Sequence, residues 1–271
     1  DDEGWSSEYG GADPGYLSAT VSFLGKLHKV YQDDRLYEVV KKAVHFSSYF
    51  VYPNGFYAGT IGSRQTLHFY PDGYEIFSKD IPLAAAMADK MLIALGQHKL
   101  VPPEIQEDRY HLYRIPELLL SYLDYQKRDV SLPLLPYEKE PFRIHFERAK
   151  IFVQKGNRSY LLINMAKNGV IKLFHVGDRK LVFNDCGMIG ELDTGKIVTT
   201  HCLTDQQKIS VEGDTISISG EFRYVTYHHF TPFTMILFRL AMITIGWHTK
   251  MAYAIKGWIR KILVWRAAAS P

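Results

Sequence analysis

Asp2-Glu3-Gly4-Trp5-Ser6-Ser7-Glu8-Tyr9-Gly10-Gly11-Ala12-Asp13-Pro14-Gly15-Tyr16 is a glycine-rich loop, carrying carboxylates and aromatic rings, that runs into a helix. Asp13 is a good N-cap, and Pro14 suits the first helical position. Apolar residues then recur at three- and four-residue steps over 16–30, which is one helix face. Tyr16 falls in the first turn, beside unpaired backbone N–H groups that favour nearby negative charge. Trp5, Glu8 and Tyr9 sit on the loop leading in. A carboxylate, two phenols and an indole at one helix mouth suit a sugar-binding cleft, where rings stack and polar groups sort hydroxyls. The same residues also make a plain aromatic staple that closes a helix start.

Three more helices follow. Asp33 or Asp34 caps the second, with Leu36, Val39, Val40, Ala43, Phe46 and Phe50 inward, and Tyr52-Pro53-Asn54-Gly55 ends it. The third covers 83–97, where a run of alanines allows close packing. The fourth covers about 109–126, with Pro116 predicting a kink or a late start. His98 and His111 read as surface histidines. The loop over 55–74 is long and gathers Arg64, Gln65, His68 and Tyr70, types that read a carboxylate and hydroxyls. A packed loop in which Arg64 pairs with a structural carboxylate is the equal alternative.

Leu132-Pro133-Leu134-Leu135-Pro136-Tyr137-Glu138-Lys139-Glu140-Pro141 is the best boundary, because its prolines exclude a regular element. Beyond it the period changes from helical to alternating. Short strands are predicted around 144–148, 150–153, 160–163, 170–174, 180–183, 197–202, 209–211, 215–219 and 222–228, several of them separated by glycine-containing turns. Such spacing predicts an antiparallel β-sandwich. The class is therefore α+β, with helices first and strands after.

Residues 232–247 are apolar apart from Arg239 and a few threonines. The run is shorter than the roughly 20 residues of a spanning helix, so a buried strand or helix is expected. From Lys250 onward, Lys256, Arg260, Lys261 and Arg266 interleave with Met251, Ile255, Trp258, Ile259, Ile262 and Leu263. This basic amphipathic pattern suits an anionic membrane surface over 250–266. Docking on the sandwich is the reading preferred over it.

The 271 residues carry a net charge of +3, which is no nucleic-acid footprint and only a mild attraction for an acidic polymer. Tyrosine and phenylalanine are abundant. The two cysteines, Cys186 and Cys202, permit but do not imply a disulfide, and no CxxC spacing points to zinc. The chain lacks an initiator Met and starts like the inside of a domain, which reads as a fragment or processed product.

The run Gly4-Trp5, Glu8-Tyr9 and Gly15-Tyr16, continuing into Leu17, Val21, Leu24 and Leu27, resembles the helical toroid of the heparinase II/III-like polysaccharide lyases. The resemblance implies part of an incomplete α/α toroid over 1–131, a linker over 132–141, an antiparallel β-sandwich over 142–249 and a tail over 250–271. It matches Tyr16 to the family's catalytic tyrosine, which protonates the leaving glycosidic oxygen, with Tyr9 as second choice and Glu8 orienting. The 62–75 segment resembles the loop that crosses the family's cleft. Active relatives carry a His-rich segment in the second domain. Here the matching place reads Asn164-Met165-Ala166-Lys167-Asn168-Gly169-Val170, before the Asn184-Asp185-Cys186-Gly187 turn, so Lys167 and Asn168 are the substitutes. His175 and His201 lie nearest but match no motif.

The implied function is β-elimination on a uronate-containing acidic polysaccharide, with no cofactor. A divalent metal in the β part is not supported by the residues seen. The alternative is a non-catalytic carbohydrate-binding or polysaccharide-assembly relative that has lost the histidines. A periplasmic or secreted location follows from the resemblance alone.

Overall fold

A computed structural model describes residues 1–128, 131–201, 207–225, 231–244, 247–248, 250–255 and 257–258. The fold is α+β. It divides into two compact units, the first made of 1–187 with 203–219, the second of 188–202 with 220–271.

The first unit opens with a small hairpin, β1 (Ser7–Glu8) and β2 (Gly11–Ala12). Tyr9 and Gly10 make its two-residue turn, and both have positive φ, as a turn matching the strand twist requires. Helix α1 (Pro14–Tyr31) follows, with Asp13 accepting from the Tyr16 N–H and Pro14 in the first turn, as the sequence predicts. Helix α2 (Asp34–Ser48) is capped by Asp33. A five-residue helix α3 (Asp72–Ile76), not anticipated from the sequence, packs against α1 so closely that a Cβ on Gly73 would lie 2.6 Å from Ser22 backbone atoms. Helices α4 (Pro82–Gly96) and α5 (Asp108–Asp124) complete the helical part, and α5 carries Pro116 in its interior.

Strands β3 (Phe142–Phe146), β4 (Ile151–Lys155), β5 (Ser159–Asn164), β6 (Val170–His175) and β7 (Lys180–Asp185) form an antiparallel meander in chain order. Two-residue alternation sends Ile151, Val153, Tyr160, Leu162, Val170 and Phe174 to one face. That face shares a continuous buried cluster with Leu17, Val21, Phe46, Phe50, Tyr74 and Met87 of the helical part. The opposite face, through Phe152, Leu161, Ile163 and Ile171, receives Ile209, Ile216 and Ile218. These belong to a second hairpin, Lys208–Glu212 paired with Thr215–Ser219.

The sequence expectation needs correction at several places. The 132–141 stretch is no detached linker: a 3-10 turn over Pro136–Glu138 buries Leu135, Pro136 and Tyr137, and Leu135 and Tyr137 join the shared core. Prolines bar a ladder or a long helix but leave side chains free to pack. Val39, expected inward, is exposed, as are Leu112, Leu119, Tyr122 and Leu123 of α5. An apolar stripe specifies a face, and burial needs a partner for that face.

In the second unit, β8 (Ile189–Glu191), β9 (Ile197–Thr199) and β12 (Arg223–Tyr224) form a sheet in the order β12-β9-β8, where β10 and β11 denote the two strands of the 208–219 hairpin. Helix α6 (Pro232–Thr244) follows, and none of its residues is buried. The sequence expectation of burial there is thus corrected. Strands of two or three residues offer too little surface to cover thirteen largely apolar ones. Among the described residues no helix is long and apolar enough to cross a membrane. Met251, Ile255 and Trp258 are exposed. Lys256 and 259–271, with most of the basic tail, lie outside the described residues, as does Cys202. Cys186 is a free thiol.

Candidate functional site

Asp13 is the pivot of the site. It is buried, and its two carboxylate oxygens work on different segments. Oδ1 accepts from the Tyr16 N–H at 3.0 Å, and Oδ2 from the Arg64 N–H at 2.7 Å. A Cβ on Gly62 would lie 2.7 Å from that same Oδ2, so only glycine lets the loop approach. The loop is fixed at further points. Ser63 donates its N–H to Ala12 O at 2.9 Å and its hydroxyl to Glu8 O at 2.6 Å. Asn164 Nδ2 donates to Ile61 O at 2.6 Å.

The side chains this framework presents are Tyr9, Arg64 and Tyr16. Tyr9 is 65 % exposed and Tyr16 38 %. The Arg64 guanidinium lies 4.0 Å from the centre of the Tyr9 ring, a cation–π plate open to solvent. Glu8 is half-buried beside it on β1, and Gln65 is exposed with a positive φ of 59°.

His68 and Tyr70 form a neighbouring cluster. His68 stacks on Tyr110 at 5.8 Å between ring centres. Burial, then the nearby Arg114 charge, hold its imidazole below the usual range, so it is neutral at neutral pH. The Tyr70 ring lies under the Arg114 guanidinium at 4.3 Å. Burial pushes the Tyr70 phenol up, and Glu117 and Tyr16 add to this against Arg114.

Three expected residues are used elsewhere. Trp5 donates its indole N–H to Glu3, whose carboxylate also accepts the Arg148 and Ala149 N–H groups, so Trp5 braces the turn before β4. Lys167 was expected at a substrate carboxylate, yet it is 1 % exposed. Its ammonium donates to Thr60 O at 2.8 Å and Gly62 O at 2.9 Å, and burial depresses its pKa to about 8. The lysine is a strut for the loop that carries Arg64. Asn168 takes the left-handed conformation, φ 56°, that ends the Met165–Lys167 turn.

Sequence reading missed a buried charge network behind the loop. Asp72 accepts from Ser22 at 2.9 Å and pairs with Lys26 at 2.9 Å. Glu117 lies 3.7 Å from Lys26 and 3.4 Å from Arg114, whose Nη2 donates to Phe69 O at 2.7 Å. Burial and then the Asp72 charge raise Glu117 to about 7. One signal was available: Ser18, Ser22 and Lys26 repeat every four residues along α1 beside its apolar stripe.

Chemically, the arrangement offers an exposed cation on an aromatic ring, a half-exposed phenol and a neutral imidazole. No family model matches the chain, and no curated protein or solved structure does. Among the described residues no group of three or more His, Cys, Asp or Glu is placed to hold a metal ion.

Proposed function

We propose that the surface carrying Tyr9, Arg64 and Tyr16 binds a uronate-bearing acidic polysaccharide and cleaves it by β-elimination. The carrying observation is that one buried carboxylate, Asp13, fixes the backbones of both Arg64 and Tyr16. A cation and a phenol held in this way stay in register without help from a ligand. Arg64 receives the uronate carboxylate through its planar fork, while the Tyr9 ring supports a sugar face. With that carboxylate neutralised, the C5 proton becomes acidic enough to remove. The C5–H electron pair forms the C4–C5 double bond, the C4–O4 bond breaks, and O4 takes a proton. Tyr16 supplies the acid, the base or both. Glu8 orients the sugar, and Gln65, His68 and Tyr70 read hydroxyls.

In this reading α1–α5 belong to a helical toroid, and the five-stranded sheet with its 208–219 hairpin is the sandwich layer. Such a substrate puts the protein in the periplasm or outside the cell. Binding without cleavage is the second reading, as in a polysaccharide-assembly relative. It is favoured by Lys167, whose ammonium is taken by two backbone carbonyls instead of facing a ligand.

The test uses a panel of uronate polymers, following the ultraviolet absorbance of unsaturated uronate, with Tyr16→Phe and Arg64→Ala beside the parent chain. The parent is expected to generate product, Tyr16→Phe to lose it while still retarding in polymer-containing gels, and Arg64→Ala to lose both. Retardation without product in the parent moves the reading to binding alone. Neither signal on any polymer removes both readings.

A further inference from the structure

We propose that the cavity between α3, α4 and α5 is a binding site for a small monocarboxylate with an aliphatic or aromatic body, its carboxylate received by Arg114 and Ser121. The inference is independent of the polysaccharide reading. The cavity holds about 320 Å³, the size of a small-molecule pocket. Phe69, Met91 and Arg114 line it from inside, and all three are buried. Leu92, Tyr122 and Tyr125 line it too and are exposed, which marks the mouth as apolar.

Two of the lining residues have unspent polar atoms. Arg114 Nε and Ser121 Oγ are buried with no hydrogen-bond partner. Arg114 is 4 % exposed, so its Nε cannot turn to water. A buried guanidinium ordinarily has its donors filled, and an unfilled one costs the desolvation of that group. Its other two nitrogens and its face are occupied. Nη2 donates to a neutral carbonyl, Phe69 O, the face meets the Tyr70 ring, and Nη1 donates to Glu117 in a long ion pair of 3.4 Å, which leaves Nε over. Glu117 is moreover only partly ionised near neutral pH, its pKa being about 7. The carboxylate that lines the cavity, Glu75, is taken by Arg128 at 2.8 and 2.9 Å. Apolar walls with one guanidinium whose Nε is unfilled and one spare hydroxyl select an amphiphilic anion. A cationic amphiphile of the same length is rejected by Arg114, and a sugar has too little apolar surface.

The test is calorimetric titration of the whole chain with sodium octanoate below its micellar range, with octylamine as the comparison. Octanoate is expected to bind once per chain and saturably, and octylamine not at all. Ser121→Ala removes an unpartnered atom, so the free protein should melt no lower, while octanoate binding weakens by about three- to tenfold. Leu118→Trp, which fills the cavity, should abolish binding with the melt retained. Arg114→Gln is a weaker probe because Arg114 also holds Phe69 O. Absence of saturable octanoate binding overturns the proposal. So does equal binding of octylamine, or unchanged octanoate affinity in both Ser121→Ala and Leu118→Trp.

Discussion

Asp13 does more than the N-cap pattern promises. Capping needs one oxygen, and the second is the anchor of Arg64. Asp13→Ala therefore removes two charge-assisted bonds at a buried position, the cap and the loop anchor. The expected cost is about 2–4 kcal/mol in urea unfolding, from a cap of about 1 kcal/mol and a buried N–H left without its acceptor. Asp13→Asn keeps an acceptor for Tyr16 and should lose less. Equal stability of the parent and Asp13→Ala would show that the loop is held by its other bonds alone. The first half of this role was legible in Asp13-Pro14. The second was not, since Arg64 is 51 residues away and its approach depends on the fold.

Among the elements, α1, α3 and α5 meet through charge as well as apolar surface. Asp72 on α3 is fully buried and is met by Ser22 and the half-buried Lys26 of α1, and Glu117 of α5 faces Lys26 and Arg114. Glu117 sets a pH dependence whose sign is fixed. Its pKa is about 7 in the fold against 4.5 for an ordinary glutamate. Between these values the folded chain keeps a proton that the unfolded chain has lost, so stability falls as pH rises through this window. Below about pH 4.5 both states are protonated and the contribution is fully present. The urea midpoint of the parent should decline between about pH 5 and about pH 8, and Glu117→Gln should flatten that decline. An identical slope in the variant would mean that Glu117 ionises in the fold as it does in the open chain. Element types were readable from periodicity: α1, α2 and α4 start within two residues of the sequence expectation. The short α3 was not, because five residues carry too little period to detect and the helix exists by packing on α1.

At the scale of the first unit, helices and sheet are not separable bodies. Phe174 of β6 stacks on Tyr52, which follows α2, at 4.9 Å, and the Tyr160 hydroxyl of β5 donates to Tyr49 O at 2.7 Å. Phe174→Ala should cost about 3–5 kcal/mol. Because the cavity opens in a shared core, far-ultraviolet dichroism and tyrosine fluorescence should still melt together, both displaced. Loss of the sheet signal first, with helices intact, would separate the two layers. The sequence by itself determined what local spacing can carry: the capped start of α1, the helical period before residue 131, the alternating period after it, and the aromatic–carboxylate loop. These depend on residues within a turn or a strand of one another. Only the tertiary structure decided which polar groups are spent inside and which face out. Lys167, Asn164 and Trp5 became struts, whereas Tyr9, Arg64 and Tyr16 were left in the open. The physical reason is that a buried donor or acceptor must find its partner wherever the fold brings one, and those partners lie up to 146 residues apart.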